Sequence, residues 1–269
     1  MSTQEATKPR LTKRQRANLI RWSIYAAGAL LAVLIVLFID WGRLADKMFK
    51  WELITEQFPE IITRAARNSI IYTFFSFFLG LAGALVLALM RRSQAAPFRW
   101  FAATYIEIFR GLPALLTIII IGLGLPIALG VNIPPRNWGP GILALAMVAA
   151  AYMAETIRAG IEAVPRGQME AARSLGMSQA SAMKSIVLPQ AFRIIIPPLT
   201  NELVLLLKDS SLISVLGVTD LNIELTRWGR NGFIDNANAT PLIVAGLVYL
   251  ALTIPLTRLA ARLEKTAGR

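Results

Sequence analysis

Residues 161–191 read IEAVPRGQMEAARSLGMSQASAMKSIVLPQA, a polar and amphipathic segment set between two apolar runs. Gly167 precedes a short series of helix formers, Gln168 to Leu175, and Gly176 stands where a left-handed cap ends such a helix. Ser178 is placed to N-cap a second helix that continues into the next apolar run. The expected local structure is a short helix outside the membrane, a tight turn, and then a span. Ala171 and Ala172 give the short helix a small-residue face able to approach another surface closely, and Glu170 offers a charge to a basic partner. An interfacial helix with no partner fits the same residues equally well.

Outward from this stretch, the chain is dominated by apolar runs. It is 55% hydrophobic over 269 residues, with a mean hydropathy of +0.56, too apolar for a soluble domain of this size. Six spans can be drawn where apolar runs reach about 20 residues, the length a helix needs to cross a bilayer. They cover about 22–39, 69–90, 101–129, 139–157, 185–207 and 240–259. The third is interrupted by Arg110, Gly111 and Pro113. The fifth contains Pro197-Pro198 and then a polar break at Lys208-Asp209-Ser210-Ser211, so one regular helix is not expected there. Residues 1–21 read as a cytoplasmic basic tail, disordered over its start at 1–16, and Leu44, Met48, Phe49, Leu53, Ile54 and Phe58 as an amphipathic surface helix.

The net charge of +12 points to nucleic acid only in a soluble protein; here Lys and Arg sit at the ends of apolar runs, and no basic stripe interleaved with aromatics occurs. Seventeen basic residues fall in the tail, the 91–99 and 158–184 connections and the C-terminus, against eight in the alternate connections. Both termini are therefore expected in the cytoplasm. The absence of Cys and His removes disulfides, thiolate nucleophiles, imidazole metal sites and His-based triads. No catalytic or metal-ligating set is assigned.

The spacing E-A-A-x3-G-x9-I-x-L-P is met by Glu170, Ala171, Ala172, Gly176, Ile186, Leu188 and Pro189. This resembles the signature loop of ABC importer permeases. Arg110-Gly111-x-Pro113, Ala154-Glu155-x-x-Arg158, Gly167-Gln168, Leu188-Pro189-Gln190-Ala191 and Lys208-Asp209-Ser210-Ser211-Leu212 are similar to the permeases for polar amino acids of the glutamate, glutamine, histidine, arginine, cystine and opine type. Leu112 replaces a common Thr, and Asn68-Ser69-Ile70 replaces a Gly-Leu…Thr pattern.

The resemblance implies an all-α membrane protein of about six transmembrane helices. One extra N-terminal helix, with residues 22–55, would precede a five-helix permease core at 56–269, whose coupling loop covers about 160–184. It implies ATPase coupling through Gly167, Gln168, Glu170, Ala171, Ala172, Gly176, Leu188 and Pro189. The expected partners are two copies of a separate ATPase, a second permease (identical or paralogous) and an extracytoplasmic amino-acid-binding protein. No Walker A pattern occurs, so ATP and Mg are expected on the partner and no cofactor on this chain. The expected location is the bacterial inner membrane.

An ionisable group at mid-bilayer costs at least about 2.5–3.5 kcal/mol, so each requires a reason. Glu107 and Arg110, and Glu155 and Arg158, lie three apart and can pair on one helix face, either as helix-end pairs snorkelling to the interface or as the lining of a pathway. Asn201, Glu202, Lys208, Asp209, Ser210 and Ser211 either line the route or fix helix packing. A zwitterionic amino acid needs both an acid and a base, and this cluster supplies both. An ion-driven transporter leaves the 161–191 segment unexplained, and a membrane enzyme lacks catalytic groups. Within the ABC class, a permease for another small solute is the alternative.

Overall fold

In the computed structural model, residues 12–217 and 219–267 are described, and among them every regular element is helical. The tail residues Lys8 and Arg10 lie outside the described residues. Contacts divide the chain after Phe49.

The N-terminal unit holds α1 (Lys13–Phe38) and α2 (Trp41–Met48). Helix α1 begins nine residues before the expected Trp22, because Thr12 and Gln15 form a capping box at its start. The expectation of disorder is therefore corrected over 13–16, and the basic residues up to Arg21 belong to the helix. None of α1 is buried, as suits an apolar helix whose solvent is lipid. The side chain of Asp40 caps α2, accepting from the Arg43 N–H at 2.8 Å.

The second unit begins at Lys50. Short α3 (Trp51–Thr55) leads into a π-helical turn, Ile61–Ala66, and then α4 (Arg67–Arg91). The single amphipathic helix expected before α4 is therefore broken into α2, α3 and the π turn. Helix α5 (Ala96–Gly111) turns by 111° into α6 (Ala114–Ile119), which continues through a π turn into α7 (Leu125–Leu129). Pro113 causes the break: it disfavours the helical region at Leu112, whose ψ is 145°. The remaining elements are α8 (Gly139–Glu162), α9 (Arg166–Ser174), α10 (Gln179–Ala182), α11 (Leu188–Asp209), α12 (Leu225–Asn236) and α13 (Thr240–Ala267). Five helical stretches are long and apolar enough to span a bilayer, and the bent α5–α7 stretch makes a sixth.

Helices α4 and α8 meet through small residues. A Cβ on Gly80 would stand 3.0 Å from the Ala149 Cβ and 3.1 Å from the Ala146 carbonyl. Water cannot drive this association inside a bilayer, so close backbone approach and dispersion must do so. Ser76 adds a hydrogen bond to the Ile142 carbonyl at 3.2 Å. Helix α11 packs on α8 where Gly160 receives Ile195. It runs past Pro197-Pro198 without interruption, as expected, and becomes irregular at the 3₁₀ turn Ser210–Val215, where the polar break interrupts the apolar run.

Candidate functional site

Two polar regions stand at the ends of the bundle, with a small cavity between them. At the first end, α9 starts after Pro165 and closes in a Schellman motif. The Gly176 N–H donates to the Arg173 carbonyl at 3.0 Å and the Met177 N–H to the Ala172 carbonyl at 3.2 Å. Gly176 takes φ +84°, the left-handed conformation expected of it. The Ser178 hydroxyl accepts the Ser181 N–H at 3.1 Å and caps α10, as expected. Helix α10 passes through a π turn, Met183–Val187, directly into α11, so α9 is one tight turn away from a continuous spanning helix.

The two alanines of α9 divide. Ala172 is buried against its own chain, while Ala171 and Glu170 are exposed and Leu175 is 84% exposed. Gly167 is exposed, and the Gln190 Nε2 reaches Gln168 Oε1 at 3.4 Å. Leu188 is half-buried and Pro189 exposed at the start of α11. At the adjacent end of α8, Arg158 donates through Nε to Glu155 at 3.0 Å and through Nη1 to Glu162 at 2.6 Å, with a further bond from its Nη2 to Glu155. The expected Glu155–Arg158 pair is therefore present, joined by Glu162.

The other expected pair does not form. Arg110 is not bonded to Glu107; its guanidinium lies 5.7 Å from the centre of the Tyr152 ring, in cation–π range. Tyr152 also lines a cavity of about 220 Å³ between α6, α8 and α11, together with Glu202 and Asp209. Leu145, Val148 and Leu206 supply its apolar wall. Of the six polar residues expected in or after α11, only Glu202 and Asp209 line this cavity. Asn201 instead donates to Glu264 at 2.9 Å, Lys208 is exposed, Ser210 is buried and donates to the Leu207 carbonyl at 2.7 Å, and Ser211 is half-buried. Two bases stand near the acids without lining the cavity: Arg110, packed on Tyr152, beside Glu202, and the exposed Lys208 beside Asp209. Tyr152 was not singled out by the sequence; a lone phenol within an alanine-rich span was its only signal.

The second end carries a buried polar network that sequence reasoning also missed. Asn68 Nδ2 donates to the carbonyls of Ile223 and Leu221 at 2.8 and 3.1 Å, and Asn222 Nδ2 donates to the Tyr72 hydroxyl at 2.8 Å and to the Asn137 carbonyl. Glu224, fully buried, caps α12 by accepting the N–H groups of Thr226 and Arg227 at 2.6 Å each and the Tyr249 hydroxyl at 3.0 Å. Burial pushes the Glu224 carboxyl up to about 7, against the lowering pull of these donors. The Asn-Ser variation at 68–69 has a structural role here, since Ser69 Oγ accepts the Leu225 N–H at 3.2 Å.

Residues 80–269 match the family model described as "Binding-protein-dependent transport system inner membrane component". The chain is 40% identical over 190 residues to the arginine transport system permease protein ArtQ of Bacillus subtilis, covering 71% of this chain and 84% of that protein. It is 32% identical over 222 residues to the glutamate/aspartate import permease protein GltK of Escherichia coli O157:H7, covering 81% and 97% respectively. Among solved structures, the crystal structure of an amino acid ABC transporter with histidines superposes with a TM-score of 0.73 at 34% identity, covering 81% of this chain and 99% of that one.

Proposed function

Because the chain belongs to the family of binding-protein-dependent transport system inner membrane components, we propose that it is the permease subunit of an ATP-driven importer for a polar amino acid. The single observation that carries the coupling role is α9: an exposed short helix, closed by a Schellman motif and joined by one turn to α10–α11. In this reading α9 docks through Glu170, Ala171 and Leu175 onto a separate ATPase present in two copies, which binds ATP and Mg. Gly167, Gln168, Gly176, Leu188 and Pro189 set the shape of the docking element and its junction with α11. A second permease, identical or paralogous, completes the pathway, and an extracytoplasmic binding protein delivers the substrate. Both termini lie in the cytoplasm, with α9 on the same side.

The mechanism follows from connectivity. Closure of the ATPase pair displaces α9; the buried Ala172 and Val164 tie α9 and its approach to the bundle, so the displacement passes to α8 and α11. The cavity lies between those two helices and α6, and their rocking alters its access. In this reading Glu202 and Asp209, which line the cavity, meet an ammonium group, and Arg110, whose guanidinium packs on the lining Tyr152, meets a carboxylate. The names of similar proteins, arginine and glutamate/aspartate permeases among them, support a polar amino acid as cargo. Residues 22–55 are read as an addition to a core beginning near residue 56, although contacts group residues from Lys50 onward with that core.

Purification of the tagged chain from its native membrane in mild detergent, with mass spectrometry of what accompanies it, tests this reading. Recovery of an ATPase subunit is expected. A chain that emerges alone, even after cross-linking from α9, would remove the mechanism.

A further inference from the structure

A second cavity, of about 270 Å³, lies at the end of the bundle away from α9, at the entry to the last span. It is formed where the end of α3 meets α12 and the loop before it. Glu56, Asp220 and Asp235 line it, with Gln57 and the half-buried Trp228. The three carboxylates are exposed, and none makes an ion pair or side-chain hydrogen bond among the described residues. No basic residue lines the cavity, in a chain whose net charge is +12.

The independent sign of a ligand is Gln57. Its residue is only 8% exposed, yet its Oε1 is buried without a hydrogen-bond partner. The orientation of the amide is fixed, because Nε2 donates to the Leu53 carbonyl at 2.7 Å and the reverse placement would set two oxygens against each other. A buried acceptor left unmade is costly and asks for a donor. Glu56, Asp220 and Asp235 bring only acceptors to this cavity; Asn231 and Asn236 also line it, the Asn236 Nδ2 being taken up by the Gly232 carbonyl at 2.9 Å, and the indole of Trp228 is a group that attracts cations. The complementary group is an organic cation with several N–H donors. A metal ion is not the match, because no group of carboxylates among the described residues could hold one.

We propose that this cavity receives a guanidinium or ammonium side chain of the extracytoplasmic binding protein when that protein docks. This rests on the importer reading above and names the contact by which its delivery step is made. Two observations favour a tethered side chain over a free amino acid. The cavity is separate from the one between α6, α8 and α11, and does not contribute to it. Large apolar residues stand exposed on the same elements, Phe58 at 46%, Leu221 at 75% and Ile234 at 61%, a surface that a protein partner would cover and a single amino acid would not.

The test uses the assembled transporter in lipid nanodiscs, with the binding protein that serves it immobilised on a sensor. Wild-type binding should weaken steeply as salt rises. Combined Glu56→Gln and Asp235→Asn substitution should weaken binding by about tenfold and flatten that salt dependence, with basal ATP hydrolysis unchanged. Asp235→Lys should weaken it further, and one Lys or Arg→Glu variant of the binding protein should restore affinity to the Asp235→Lys transporter alone. Free arginine at millimolar concentration should not compete. Unaltered affinity and salt slope in the charge-removed variants would overturn the proposal while leaving the importer reading intact. Competition by free arginine would reassign the cavity to a small cationic ligand and equally overturn it. A wild-type transporter that fails to bind any such protein would remove the importer reading itself.

Discussion

Gly176 allows backbone strain and partner docking to be separated in one position. It holds φ +84°, and a Cβ built on it meets nothing within 4 Å in its own chain. Any L-residue there suffers the left-handed backbone penalty, roughly 1–2 kcal/mol, while Asn tolerates that conformation better. Because the space is open, Ala and Trp incur about the same intramolecular cost, and within the isolated permease both should lower the melting temperature slightly and alike. A docking surface distinguishes them. Gly176→Asn and Gly176→Ala should keep the ATPase subunit through purification, whereas Gly176→Trp should lose it and abolish uptake while still reaching the membrane. The assay is retention of the ATPase on the tagged permease, read beside thermal unfolding of the permease and uptake in cells. A Trp variant that retains the ATPase and transports like the Ala variant would refute the placement of this turn at a partner surface.

Other expectations follow from the packing and the buried charge. Glu224 binds its proton more tightly in the folded chain than in the unfolded one, so stability from this group is fully present below about pH 4.5 and is lost as pH rises through about 7. The loss is about 3 kcal/mol at most. Thermal unfolding between pH 5 and 8 should therefore show a steeper decline in wild type than in Glu224→Gln, and parallel profiles would sink the assignment. Gly160→Ala would set its Cβ 2.2 Å from Ile195 Cγ1, and should destabilise by about 1–3 kcal/mol. Ile195→Ala in the same chain should recover part of that, and additive losses would count against a direct clash. Glu202→Gln and Asp209→Asn should reduce substrate-stimulated ATP hydrolysis in vesicles without loss of assembly; unchanged substrate dependence would exclude the cavity from the pathway.

The spans were legible because a bilayer imposes a length on apolar runs, and the break at Pro113 because proline acts on its immediate neighbour. The same holds for Ser178 and Gly176, whose capping roles are local. Long-range partnerships were not legible. Lys208 is next to Asp209 in sequence and was legible as its neighbour, whereas Arg110, nearly a hundred residues away, comes over Tyr152 only through the packing of α5 on α8. Asn222 and Glu224 carried no signal in the sequence and Asn68 only a departure from a family pattern, because their burial arises when the fold closes over them. The start of α1 was misplaced because the basic residues from Lys13 to Arg21 end the apolar run but not the helix.

The chain contains no cysteine, so single-cysteine cross-linking tests the coupling claim most directly. Leu175→Cys, at an 84% exposed position of the α9 turn, should cross-link to the ATPase subunit in native membranes, and Ile234→Cys, 61% exposed on α12, should not. An actively transporting Leu175→Cys chain that never cross-links to the ATPase, or equal cross-linking from both positions, would contradict the account.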